Sequence, residues 1–127
     1  MKRSGNYVNS SRTCYRVPGK IIHEVMHVLG FQHEHQRPDR DEHVIINWAN
    51  IRTSMKIWFQ KLSYYQTTLG SKYDTESLMH YQPWIFTNGN GQTIEARDDK
   101  SKTNMGQRAY LSPGDIDAIN RLYCYGG

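Results

Sequence analysis

Apolar residues recur along this chain in several rhythms, and each predicts an element. Ile21, Ile22, Val25, Met26, Val28 and Leu29 follow the steps of an amphipathic helix, whose apolar face needs a covering layer. Between residues 45 and 62, Trp48, Ile51, Met55, Trp58, Phe59 and Leu62 return at three- and four-residue steps. That spacing predicts a second amphipathic helix, with its aromatic residues serving the core rather than chemistry. Trp84-Ile85-Phe86 is a short apolar run ended by Asn88-Gly89-Asn90-Gly91 and followed by Thr93-Ile94, which predicts a loose hairpin. A final helix starts at Ser112: serine is a good N-cap, Pro113 suits the first helical position and Asp115 favours the positive end of the dipole. Ile116, Ile119, Leu122 and Tyr123 form its expected inward stripe. Polar stretches separate these runs. Gly5, Asn6, Asn9, Ser10 and Ser11 read as loop, with only Tyr7-Val8 hinting at a strand, and residues 63–70 read as turns. No internal repeat appears.

The first apolar helix also carries a dense set of ligand-type side chains. Residues 23–33 read His23-Glu24-Val25-Met26-His27-Val28-Leu29-Gly30-Phe31-Gln32-His33. On a helix, His23 and His27 stand one turn apart on one face, so both imidazoles can reach one ion. Gly30 lets the chain leave the helix with positive φ and turn His33 back toward that ion. Three nitrogen ligands leave the fourth position of a tetrahedral zinc site open, the arrangement of catalytic rather than structural zinc. Glu24, beside the first ligand, is placed to take a proton from an attacking water rather than to bind the metal. The H-E-x-x-H-x-x-G-x-x-H form is that of metzincin proteases, in which a Met-turn follows downstream.

The chain continues Glu34-His35-Gln36-Arg37-Pro38-Asp39-Arg40-Asp41 and later reads Tyr73-Asp74-Thr75-Glu76-Ser77-Leu78-Met79-His80-Tyr81. Together with the histidine array, these stretches resemble the astacin family of zinc endopeptidases over residues 19 to about 123. The family's signature has Phe31, Glu34, Arg37 and Asp39-Arg40-Asp41 after the glycine, and Ser77, Met79, His80 and Tyr81 in its Met-turn. The resemblance implies an α+β, metzincin-like fold: a long active-site helix and a C-terminal helical subdomain, with most of the upper twisted sheet missing. It implies one Zn2+ per chain on His23, His27 and His33, with Glu24 as general base. Met79 would form the apolar floor beneath the metal. Tyr81 would be the switch tyrosine, able to lie on the metal at rest and to hydrogen-bond the tetrahedral intermediate.

Gln107-Arg108 resembles a family segment whose arginine lies just after the scissile bond and favours acidic side chains, as a guanidinium suits a carboxylate. An exposed arginine without that role is the other reading. Glu34 matches the acid that contacts a new amino terminus after propeptide removal, but Met1-Lys2-Arg3 does not resemble such a terminus, so that role is set aside. His80 serves the turn, while His35 and His43 are expected to be solvated surface groups.

Composition narrows the picture only slightly. At 127 residues the chain has the length of one domain. Its expected division is 1–18 as a mostly looped remnant of an upper subdomain, 19–124 as the catalytic domain and 125–127 as a tail. Sixteen basic against 12 acidic residues give +4, spread over short mixed runs rather than a basic stripe, which argues against nucleic-acid binding. No stretch approaches a membrane span, and no apolar run follows the first residues, so no signal peptide is expected. An extracellular site of action is implied by the resemblance alone. In the family, cysteines at the positions of Cys14 and Cys124 bridge to upstream partners; if the chain is complete, the two here are free or bonded to each other, and spacing does not choose. Asn9-Ser10-Ser11 fits a glycosylation acceptor.

The expected function is a zinc metalloendopeptidase acting on proteins or peptides. The rival expectation is a truncated, catalytically incompetent chain that binds zinc or peptide only, because just 22 residues precede His23.

Overall fold

The computed structural model describes residues 17–64, 71–99 and 104–125. Tyr7-Val8, the Asn9 acceptor, Cys14 and most of the turn-rich stretch 63–70 lie outside the described residues. The described part is α+β: two helices of 11 residues, α1 (Pro18–Val28) and α2 (Pro113–Tyr123), and an antiparallel pair of strands, β1 (Val44–Ile46) and β2 (Ile94–Ala96). Short 3-10 turns link them.

α1 starts at Pro18 behind Val17, which gives no side-chain cap. Its first turn lies so close to the chain at Arg108 that a Cβ on Gly19 would fall 1.8 Å from the Arg108 carbonyl oxygen. The helix ends as the sequence predicts. Gly30 takes φ +95°, its amide donates to the His27 carbonyl, and Phe31 N donates to the Met26 carbonyl. This pair of bonds is the Schellman arrangement, and Phe31 accordingly packs in one cluster with Met26. On the face away from that cluster, Val25 and Val28 remain 42% and 48% exposed.

The amphipathic helix expected over residues 45–62 does not form. Its start is β1, followed by 3-10 turns at Trp48–Asn50 and Thr53–Phe59. The backbone groups of this segment have better partners elsewhere. Arg52 N donates to the Phe86 carbonyl, Ile51 bridges Thr87, and the buried Arg40 guanidinium donates to the Phe59 carbonyl. The β-branched run Val44-Ile45-Ile46 also favours a strand. Ile51 and Phe59 are buried as expected, but Trp48 and Trp58 are exposed.

The expected hairpin over residues 84–94 is also altered. Thr93 Oγ1 donates to the Pro83 and Ile85 carbonyls, so the loop closes on itself, while Ile94 and Ala96 pair with Ile46 and Val44 instead. This pairing keeps Val44, Ile94 and Ala96 on the buried face.

Two apolar clusters result. Met26, Phe31, Leu78 and Met79 form one, with Leu111, Ala118 and Ile119 packed against it. Val44, Ile51, Phe59, Tyr81, Ile94, Ala96 and Met105 form the other. The turn at residues 77–81 passes from the first to the second, with Met79 in one and Tyr81 in the other. The stripe expected on α2 is rotated: Ile116, Leu122 and Tyr123 are about half exposed. The helix instead turns Asp115 inward to meet Ser77 and Leu78, and residues three and four positions later, Ala118 and Ile119, therefore face the core.

Candidate metal centre

α1 and the turn behind Gly30 bring three imidazoles together. The ligand atoms of His23, His27 and His33 all lie within 4.8 Å of one another. His23 Nδ1 donates to the Leu78 carbonyl at 2.8 Å and His27 Nδ1 to the Phe31 carbonyl at 2.9 Å. A carbonyl can only accept, so each proton sits on Nδ1 and each Nε2 keeps its lone pair. His27 Nε2 and His33 Nε2 are 3.2 Å apart. Two nitrogens at zinc-ligand distance from one tetrahedral ion are separated by roughly 3.3 Å. Burial holds His23 below its ordinary pKa. His33 is pushed down to about 3, first by burial and then by the neighbouring imidazoles His27 and His23. His23 and His33 are thus held neutral near pH 7, and carbonyls orient the rings of His23 and His27, a donor set that fits a divalent zinc ion.

Around this trio stand the other expected site residues. Glu24, on the same turn of α1 as His23, is exposed. Tyr81 is buried, its ring centroid 4.6 Å from that of His33. Burial raises its phenol above the usual range, so it remains an O–H donor near neutrality. Met79 is buried among Met26, Phe31 and Leu78, and its carbonyl accepts from Glu34 N at 3.0 Å. Arg108 is half-buried rather than exposed, and its Nη1 donates to the carbonyls of His80, Gly106 and Gln107.

The family model for astacin, a family of peptidases, matches residues 2–124. This chain belongs to the astacin family. It is 45% identical over 104 residues to zinc metalloproteinase nas-6 of Caenorhabditis elegans, covering 81% of this chain and 30% of that protein. It is 41% identical over 114 residues to seminal metalloprotease 1 of Drosophila melanogaster, covering 87% and 44%. The structure resembles high choriolytic enzyme 1, a hatching enzyme zinc-protease of Oryzias latipes, with a TM-score of 0.75 and 40% identity. That match covers 83% of this chain and 52% of the hatching enzyme. The chain spans less than half the length of the curated relatives it matches.

Several residues of this astacin chain hold places around the trio that its sequence did not disclose. His35, expected in solvent, is fully buried: Nε2 donates to the Trp58 carbonyl and the ring stacks on Tyr81 at 3.8 Å and 20°. His43 is half-buried and stacks on Tyr73. The mixed charge run hides two buried arginines. Arg37 binds Asp39 through two nitrogens and Glu34 at 3.0 Å, and Arg40 donates to the carbonyls of His35 and Phe59. Glu34 thereby acquires a place: besides Arg37 it accepts from Asp74 N, while burial pushes its carboxyl up to about 7. The two arginines close together around a D-R-D run were the available signal, since a guanidinium's fork of donors suits buried carboxylates and carbonyls.

Proposed function

We propose that this chain carries the catalytic centre of a zinc-dependent endopeptidase that hydrolyses proteins or peptides outside the cell, with residues 19–124 as its catalytic unit, 1–18 as a remnant of an upper subdomain and 125–127 as a tail. The observation behind this reading is the convergence of three histidines, two of them oriented by carbonyls, next to an exposed glutamate. His23, His27 and His33 would hold one zinc ion. Bound there, zinc supplies a Lewis acid that polarises the scissile carbonyl and lowers the pKa of water toward about 7.

The chain's own residues do the rest. Glu24 takes a proton from the attacking water and delivers it to the leaving amine. Tyr81, kept protonated by its burial, donates a hydrogen bond to the oxyanion as the carbonyl carbon becomes tetrahedral. Met79 packs as the apolar floor of the site. Arg108, anchored by three carbonyls through Nη1, offers its remaining guanidinium edge to an acidic side chain after the scissile bond.

The binding-only reading has one observation in its favour: Val25 and Val28 on the outer face of α1 are exposed where a substrate-aligning layer would be expected. The two readings separate in one experiment. The purified full chain is assayed for zinc per chain and for cleavage of an unstructured protein, with and without chelator. One zinc per chain and chelator-sensitive cleavage that falls at least about a hundredfold in Glu24→Ala is the expected result. Cleavage undiminished in Glu24→Ala defeats the mechanism, and zinc binding without cleavage favours the binding-only reading.

A further inference from the structure

Asp115 sits on the first turn of α2, yet its carboxylate is linked by hydrogen bonds to His23 on α1. It is only 5% exposed. Its Oδ1 accepts the Ser77 hydroxyl at 2.6 Å. The Ser77 oxygen in turn accepts the Met79 amide at 3.0 Å. That amide and the Leu78 carbonyl are the two ends of a single peptide group, and the carbonyl accepts Nδ1–H of His23 at 2.8 Å. Every donor in this series points the same way, from His23 toward the carboxylate.

We propose that Asp115 is a positioning residue for the ligand His23, acting through the Ser77 hydroxyl and the peptide between Leu78 and Met79. A negative charge at the end of an aligned series of hydrogen bonds polarises each member toward itself. The Leu78 oxygen becomes a stronger acceptor, the His23 ring is fixed in the Nδ1–H tautomer, and Nε2 becomes a better base toward a metal ion. Metal-ligating histidines commonly bond a carboxylate directly on the far nitrogen. Here the carboxylate stands on another helix, with a hydroxyl and a peptide between. The second oxygen, Oδ2, accepts Leu78 N at 2.8 Å and Ser112 N at 3.0 Å, so the same side chain fixes the turn against α2.

The inference rests on the reading that His23 holds zinc, and the test separates the two. Zinc affinity of the full chain is measured by competition with a chromophoric chelator, beside the melting temperature of each metal-free variant. Asp115→Asn is nearly isosteric: its amide oxygen can still accept Leu78 N and Ser112 N, but its NH2 cannot accept the Ser77 hydroxyl, so it removes the charge and ends the series at Ser77. Ser77→Ala breaks the series while leaving the carboxylate on Leu78 N. Each is expected to weaken zinc binding about tenfold, and the double variant no further. Ser112→Ala removes a helix cap but leaves the series intact; it is expected to melt earlier and to keep native zinc affinity. Should Asp115→Asn fail to fold, Ser77→Ala against Ser112→Ala decides. Native affinity in Ser77→Ala, or an equal loss in Ser112→Ala, would overturn the proposal and leave the zinc site itself standing. Native affinity in His23→Ala would overturn both.

Discussion

The two helices have equal length and each opens on a proline, yet they are held by opposite means. α2 has a complete capping box: Ser112 accepts from Asp115 N, and the Asp115 side chain accepts from Ser112 N. α1 has no side-chain cap and is fixed by backbone approach, with Gly19 against Arg108 at one end and the left-handed Gly30 at the other. The difference follows from what each helix carries. Polar side chains on α2 are committed to structure, and one of them reaches across to the turn at Leu78. α1 is held by its main chain and by glycines, which under the proposed function leaves its histidines and Glu24 for a metal and a substrate.

The strongest way to break this contrast is to add one methyl group to α1. A Cβ at Gly19 meets the Arg108 carbonyl oxygen at 1.8 Å and the carbonyl carbon at 2.5 Å, and neither is the flexible end of a side chain. Either the first turn or the segment at Arg108 must move. Gly19→Ala is expected to cost about 3 kcal/mol in denaturant unfolding, the upper end of the usual range for overpacking. An alanine there would ordinarily improve a helix by up to about 1 kcal/mol, so the sign of the result is decisive.

Residues whose role depends on near neighbours were legible in the sequence; those whose role depends on distant ones were not. His23, His27, Gly30 and His33 lie close together in the chain, so helical geometry and one left-handed glycine suffice to bring them together. The α2 cap was readable for the same reason, since Ser112 and Asp115 are neighbours on one helical turn. The second task of Asp115 was hidden, because its partners Ser77 and Leu78 are 38 and 37 residues away. The burial of His35 depends on Trp58, 23 positions on, and on a stack with Tyr81. The apparent helix over residues 45–62 misled because three- and four-residue spacing also suits successive 3-10 turns that present a side chain to the core at intervals.

Acid sharpens the comparison at the turn between the helices. His80 is fully buried: its Nε2 takes the Tyr73 hydroxyl at 2.8 Å and its Nδ1 donates to the Tyr81 carbonyl at 2.7 Å. Burial pushes its pKa down to about 4, against the pull of the Tyr81 carbonyl and with further lowering by Arg108. An unfolded chain takes up this proton near pH 6.5, whereas the folded site refuses it until about pH 4. The contribution of His80 to stability is therefore complete above pH 6.5 and is lost as pH falls from there through about 4. It amounts to about 2–3 kcal/mol. Native and His80→Gln chains, unfolded by denaturant at pH 7 and at pH 4, should differ by that amount in how much stability the acid removes. Equal losses in both chains would show that the ring is not held neutral.

The smallest test asks whether α1 lacks a cap because its site forbids one. Val17 occupies the N-cap position with φ −133° and ψ 89°, and Lys20 N donates to the Val17 carbonyl at 3.0 Å. A hydroxyl at residue 17 could accept from the amides of the first turn, which point outward at this end of the helix. Val17→Ser is therefore expected to stabilise the chain by about 0.5 kcal/mol, less than a usual cap because one of those amides is already bonded. If uncapped α1 is a matter of sequence alone, this gain appears and zinc affinity stays as it was. If the gain appears but zinc binding weakens, a capped first turn shifts His23 away from its place between the Leu78 carbonyl and the ion. The contrast between the helices would then be one of function as well as of construction.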